Sequence, residues 1–174
     1  MISIIIRVSH IDKLDTDALL VETIAPLVGG VVQGLVGHLL IVNMTDLPDI
    51  ATIASEAGAR HIKAYNWKSG LFEAVKSLKS DWVLVVDCGI IIDSLFWLCA
   101  ERHMRMADKA TLVKATWVSQ TPLSLKSILY RIFSVVTLDQ AVLMKTKNID
   151  NEIFDKRLGG NLKFMPTRTT RIKL

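Results

Sequence analysis

Asp81-Trp82-Val83-Leu84-Val85-Val86-Asp87-Cys88-Gly89 is the stretch on which the fold turns. Apolar residues follow one another from Trp82 to Val86 without polar alternation. A strand of this kind has both faces covered, which is the situation of a strand inside a parallel α/β sheet. Ile2-Ser3-Ile4-Ile5-Ile6-Arg7-Val8 has the same character, and Leu39-Leu40-Ile41-Val42, ending at Asn43, is a further buried strand. His61-Ile62-Lys63-Ala64 is a shorter one.

Between these runs the spacing of apolar residues becomes helical. Thr16 caps a helix expected to reach about Val28 and to end at Gly29-Gly30. Pro48 suits a helix first turn, with Ile50, Ile53, Ala54 and Ala57 on one face up to Gly58. Leu71, Ala74, Val75 and Leu78 line a helix over 67–78, and another is expected over 94–106. Further on, strands are expected over 111–118, 140–144 and 162–165, and helices over 122–133 and 148–158. Strands alternating with helices mean an α/β fold with a mostly parallel central sheet flanked by helices.

Ligands of such sheets bind beyond the carboxyl ends of the strands. That rule selects Arg7 to His10, Asn43 to Asp46, Tyr65 to Lys68, and Asp87 to Asp93. No GxGxxG or Walker A loop follows the first strand, which removes the ordinary dinucleotide and P-loop readings. The absence of glycine from residues 7–17 also counts against a nucleotidyltransferase phosphate loop.

Composition sets the outer limits. The 174 residues are expected to form one domain, 1–174. Hydrophobic residues are 51% and charged residues 22%, with a mean hydropathy of +0.37, so the chain can bury enough apolar surface to offset ordering entropy. The apolar stretch from Leu19 to Val42 is broken by Glu22, Pro26, Gln33 and His38, which argues against a spanning helix of roughly 20 apolar residues. No basic region precedes the apolar start, so a signal peptide is not expected and a cytoplasmic location is. Cys88 and Cys99 form no metal-binding pattern and read as buried free thiols. The net charge of +4 divides unevenly: residues 1–60 hold three basic and seven acidic groups, residues 101–174 fourteen and six. The basic C-terminal part, including Arg168, Arg171 and Lys173, is a candidate surface for a peripheral membrane or protein partner, with a solvated tail as the alternative. No helix-turn-helix, RRM or zinc pattern points to nucleic acid.

Taken in order, these elements resemble family 2 glycosyltransferases of the GT-A fold. The resemblance rests on Ile2-Ser3-Ile4-Ile5-Ile6, on Leu40-Ile41-Val42-Asn43, and on Ser80-Asp81-Trp82 leading into Val85-Val86-Asp87-Cys88-Gly89. It continues through Leu138-Asp139-Gln140-Ala141-Val142-Leu143 and Asp150-Asn151-Glu152 to Lys156-Arg157-Leu158-Gly159. It implies a nucleotide-diphosphate sugar, such as a UDP-sugar, as donor. Arg7, Asn43, Lys68 and Asp87 are then the nucleotide-binding candidates, and Asp150 and Glu152 the candidate catalytic bases. The family's divalent cation, Mg²⁺ or Mn²⁺, would take oxygen ligands and leaves Asp87 as the metal candidate.

The pattern is degenerate at three places. Asn43 stands for the nucleotide-contacting Asp, Gly89 for the second carboxylate of Asp-x-Asp, and Asn151 at the base position between Asp150 and Glu152. A neutral amide cannot take up a proton. The resemblance therefore implies either sugar transfer or an inactive relative that serves as a binding or assembly module.

Overall fold

The computed structural model describes residues 1–9, 15–107, 115–118, 141–146, 149, 162–165 and 169–171. The strands are β1 (Ile2–Val8), β2 (Val36–Asn43), β3 (Arg60–Lys63), β4 (Trp82–Asp87), β5 (Ile90–Ile92), β6 (Ala115–Val118), β7 (Ala141–Lys145), β8 (Leu162–Met165) and β9 (Thr169–Arg171). The α-helices are α1 (Thr16–Ile24), α2 (Val28–Val32), α3 (Asp49–Glu56), α4 (Trp67–Lys76) and α5 (Leu95–Ala107). Seven strands form one sheet in the order β3-β2-β1-β4-β7-β6-β8. The pairs β1–β2, β1–β4, β2–β3 and β6–β8 are parallel, as the apolar runs predict. β7 runs antiparallel to both of its neighbours, β4 and β6. A second, two-stranded sheet pairs β5 with β9, both outside the expected elements.

The central strands are buried on both faces because the chain covers both. Alternate side chains of a strand point to opposite faces. Ile4, Ile6, Ile41, Leu84 and Val86 build one core with Leu19 and Leu20 of α1, Ile50 and Ala54 of α3, and Phe96, Trp97 and Ala100 of α5. Ile5, Leu40, Val42, Val83 and Val85 build the other with Leu71 and Ala74 of α4 and Val142 and Met144 of β7.

The first helix does not end at Gly29-Gly30. A 3₁₀ turn at Ala25–Leu27, holding Pro26, separates α1 from α2, and α2 then runs through both glycines to Val32. The reason is packing. A Cβ on Gly30 would stand 2.7 Å from three ring atoms of the buried Trp97, so the missing side chain makes room for an indole rather than stopping a helix. No helix among the described residues is long and apolar enough to cross a membrane. The helix expected over 122–133, the one expected over 148–158 apart from Ile149, and His10, Arg168 and Lys173 lie outside the described residues.

Candidate functional site

Register decides what meets at the carboxyl ends of the strands. Arg7 and Asp87 are direct partners across the parallel pair β1–β4, so their side chains leave the sheet on the same face. Arg7 Nε donates to Asp87 Oδ1 at 2.6 Å and Arg7 Nη2 to Asp87 Oδ2 at 2.7 Å. This is the fork-to-fork geometry that makes an arginine–carboxylate pair directional as well as strong. Both groups are largely shielded, with side-chain exposures of 18% and 12%. The guanidinium carbon also lies 5.7 Å from the centre of the Trp67 ring, within cation–π range.

Trp67 opens α4, the helix that covers this face of the sheet. Asn66 caps it, its Oδ1 accepting from Ser69 N at 2.9 Å. Lys68 follows in the first turn and is exposed. The strand-end rule thus places Arg7, Asp87 and Lys68 on one side of one sheet edge.

Asn43 lies at the same edge but on the opposite face, in register with Lys63. Its side-chain oxygen accepts from Thr45 N and from Thr45 Oγ1, both at 2.8 Å, which closes the turn after β2. Its Nδ2 lies 3.3 Å from His61 Nε2. Lys63 donates to Thr45 O and to Asp46 Oδ1. The His61 pKa lies below its ordinary 6.5, first because of burial and then because of the Lys63 charge. A neutral His61 ring that accepts from Asn43 Nδ2 is consistent with both the geometry and that direction.

The turn after Asp87 has its own constraints. Gly89 has φ +89°, a conformation that residues with a Cβ rarely adopt. Its N–H donates to Thr23 Oγ1 at 2.8 Å. Cys88 is buried and its Sγ reaches Thr16 O. Burial, above all, pushes its thiol up to about 12, so it is not a nucleophile at neutral pH. Asp93 accepts from Leu95 N at 2.9 Å and so opens α5.

The described residues do not fit a divalent cation. Both oxygens of Asp87 are engaged by Arg7, the position two residues on is a left-handed glycine, and no group of three His, Cys, Asp or Glu side chains comes together among the described residues. Asp150 and Glu152 lie outside the described residues. The strand-end rule already covers Asn43, Thr45 and Trp67; His61, inside β3, is the participant that sequence reading passed over, because it lies within a strand and its contact with Asn43 follows from the β2–β3 pairing.

No protein-family model and no curated protein sequence matches this chain. Solved structures do. Glucosyl-3-phosphoglycerate synthase from Mycobacterium tuberculosis, in complex with Mn²⁺, UDP and glucosyl-3-phosphoglycerate, is similar with a TM-score of 0.67 at 13% identity, over 100% of this chain and 72% of that one. S. aureus TarS 1-349 is similar with a TM-score of 0.60 at 12% identity, over 83% and 47%. The mannosyltransferase PcManGT from Pyrobaculum calidifontis, in complex with GDP-Man and Mn²⁺, is similar with a TM-score of 0.60 at 8% identity, over 83% and 44%. This chain thus spans less than half the length of the last two. The strand order, the helices on both faces and these similarities together give the chain the GT-A fold of nucleotide-sugar glycosyltransferases.

Proposed function

We propose that residues 1–174 act as one glycosyltransferase-like domain that binds a nucleotide-diphosphate sugar and transfers the sugar to an acceptor hydroxyl. The observation that carries this reading is the Arg7–Asp87 pair at the carboxyl ends of the two central strands of a GT-A sheet, backed by Trp67. An arginine held in one orientation at that edge is suited to a phosphate group. Lys68 at the start of α4 would add a second cation on the same face. Asn43 would shape the β2 turn beside the nucleotide through Thr45. Asp150 or Glu152 would take the acceptor proton.

Thermal unfolding with a panel of UDP-, GDP- and other nucleotide sugars tests the binding half. A ligand at about a hundred times its Kd adds about 2.7 kcal/mol to stability, a clear rise in Tm. A flat response to the whole panel would falsify the reading.

A second reading, a GT-A relative that binds without transfer, is favoured by one specific observation. Gly89, where a second carboxylate would stand, occupies a backbone conformation built for glycine. Nucleotide-sugar binding with no release of free nucleotide over long incubation, across a set of acceptors, would select it. Turnover that depends on Asp150 or Glu152 would select transfer.

A further inference from the structure

We propose that the outer face of α4 docks on an anionic lipid surface. Lys68, Phe72 and Lys76 follow one another at intervals of four residues along the helix, which puts them on one side of it. Tyr65 stands just before the cap Asn66, and Lys79 follows the helix by three residues, so both continue the same spacing. The other side of α4 carries Leu71 and Ala74 into the core. All five outward residues are exposed, Tyr65 fully and Phe72 by half.

Arg60 widens the patch. It lies on β3, the edge strand of the sheet, two residues before Ile62, whose side chain joins the core under α4. Residues two apart in a strand share a face, so Arg60 leaves the sheet on the α4 side, and it is exposed. Residues 60–79 carry five basic groups and a single acidic one, Glu73. The charge complements an anionic surface, and the stripe runs the length of a ten-residue helix, about 15 Å.

Three features favour lipid over other anionic partners. The cations of the helix stripe are lysines, compact point charges that suit a diffuse field, whereas discrete phosphate or carboxylate recognition favours the arginine fork. Lysine is also depleted from the cores of protein–protein interfaces. Finally, Lys76 Nζ lies 4.0 Å from the centre of the Phe72 ring, so an ammonium group occupies ring surface that a stacked nucleobase would need. Aromatic rings beside lysine stems, with charged heads reaching outward, match the headgroup level of a bilayer. A helix with such a face lies in the plane of the interface.

The test sediments the wild-type full chain with vesicles of phosphatidylcholine alone and of phosphatidylcholine with about 30% phosphatidylglycerol, at low salt and at about 0.5 M NaCl. Binding to the anionic vesicles is expected to be about tenfold or more tighter than to the neutral ones, and to weaken about tenfold or more in high salt. Equal binding to both vesicles, or binding to neither, overturns the proposal. So does tighter binding to a polyuridine oligonucleotide than to the anionic vesicles, which would make nucleic acid the occupant.

Lys76→Gln combined with Lys79→Gln locates the surface. Both side chains are exposed, and the double variant spares Lys68 and the strand-end site. It is expected to weaken binding to anionic vesicles about tenfold or more, with an unchanged circular dichroism spectrum. Arg168→Gln combined with Lys173→Gln removes the same charge from the basic tail and should change binding by less than about threefold. Full binding by the helix variant, or loss confined to the tail variant, overturns the proposal.

Discussion

His61 and Asn43 form a small titrating unit at the end of β2. The ring's pKa is depressed, so below about pH 6.5 the unfolded chain binds more protons at this residue than the folded one does. The stability it contributes is therefore complete above that pH and is lost as pH falls through the lower folded value. Asn43→Asp should reverse the sign. The carboxylate keeps an oxygen for Thr45 and turns the other toward His61 Nε2, now 3.3 Å from an amide nitrogen. NMR titration of the ring should find its pKa raised above the wild-type value, and an unchanged or lower pKa would refute the assigned geometry. The Arg7–Asp87 pair makes a different prediction. Arg7→Met takes a two-bonded guanidinium away from a shielded carboxylate and should cost about 3 kcal/mol in urea unfolding. Arg7→Met combined with Asp87→Leu should recover most of that loss, because the shielded carboxylate is then gone as well.

At the scale of elements, Gly30 and Gly89 separate two uses of glycine. In α2, alanine is the better helix former, so propensity alone predicts that Gly30→Ala stabilises. The Trp97 ring predicts the opposite, because the new Cβ has no space; a loss of about 1–3 kcal/mol in urea unfolding is expected. After β4 the constraint is conformational, and Gly89→Asp should lose about 1–2 kcal/mol through its positive φ even though a Cβ there would meet only ordinary contacts. These two residues also show why some elements were legible and others were not. β1, β2 and β4 announce themselves as long apolar runs, because a strand covered on both faces has no polar side to show. β5 has three residues and β9 sits in a basic tail, so neither has a pattern of its own; each exists because the other is there. The reversed direction of β7 leaves no trace in its composition, since an apolar strand reads the same either way. Arg7 and Asp87 could each be selected as strand-end residues. Their pairing could not, because it depends on the register between strands distant in sequence.

For the molecule as a whole, identities of 8–13% with structures of the same architecture show which information specifies the sheet. Buried apolar runs of the right length in the right order suffice, and volume-conserving exchanges within them are tolerated. Residues at the strand ends are under no such packing rule. The β5–β9 ribbon gives this a test. Ending the chain at residue 167 should speed amide exchange at Ile90–Ile92 while leaving β1 and β4 protected, since their neighbours β2 and β7 lie within the remaining chain. Slow exchange throughout would mean that β9 contributes nothing to the turn after Asp87.

That ribbon has a consequence for synthesis. A chain made from its N-terminus has β1 to β4 outside the ribosome while β9 is still untranslated, so the central strands can pair early. The turn that carries Cys88 and Gly89 then waits for Thr169–Arg171 before its β5 flank finds a partner. The nascent protein would pass through a stage with a formed sheet and an unfinished rim, completed only once β9 has been made.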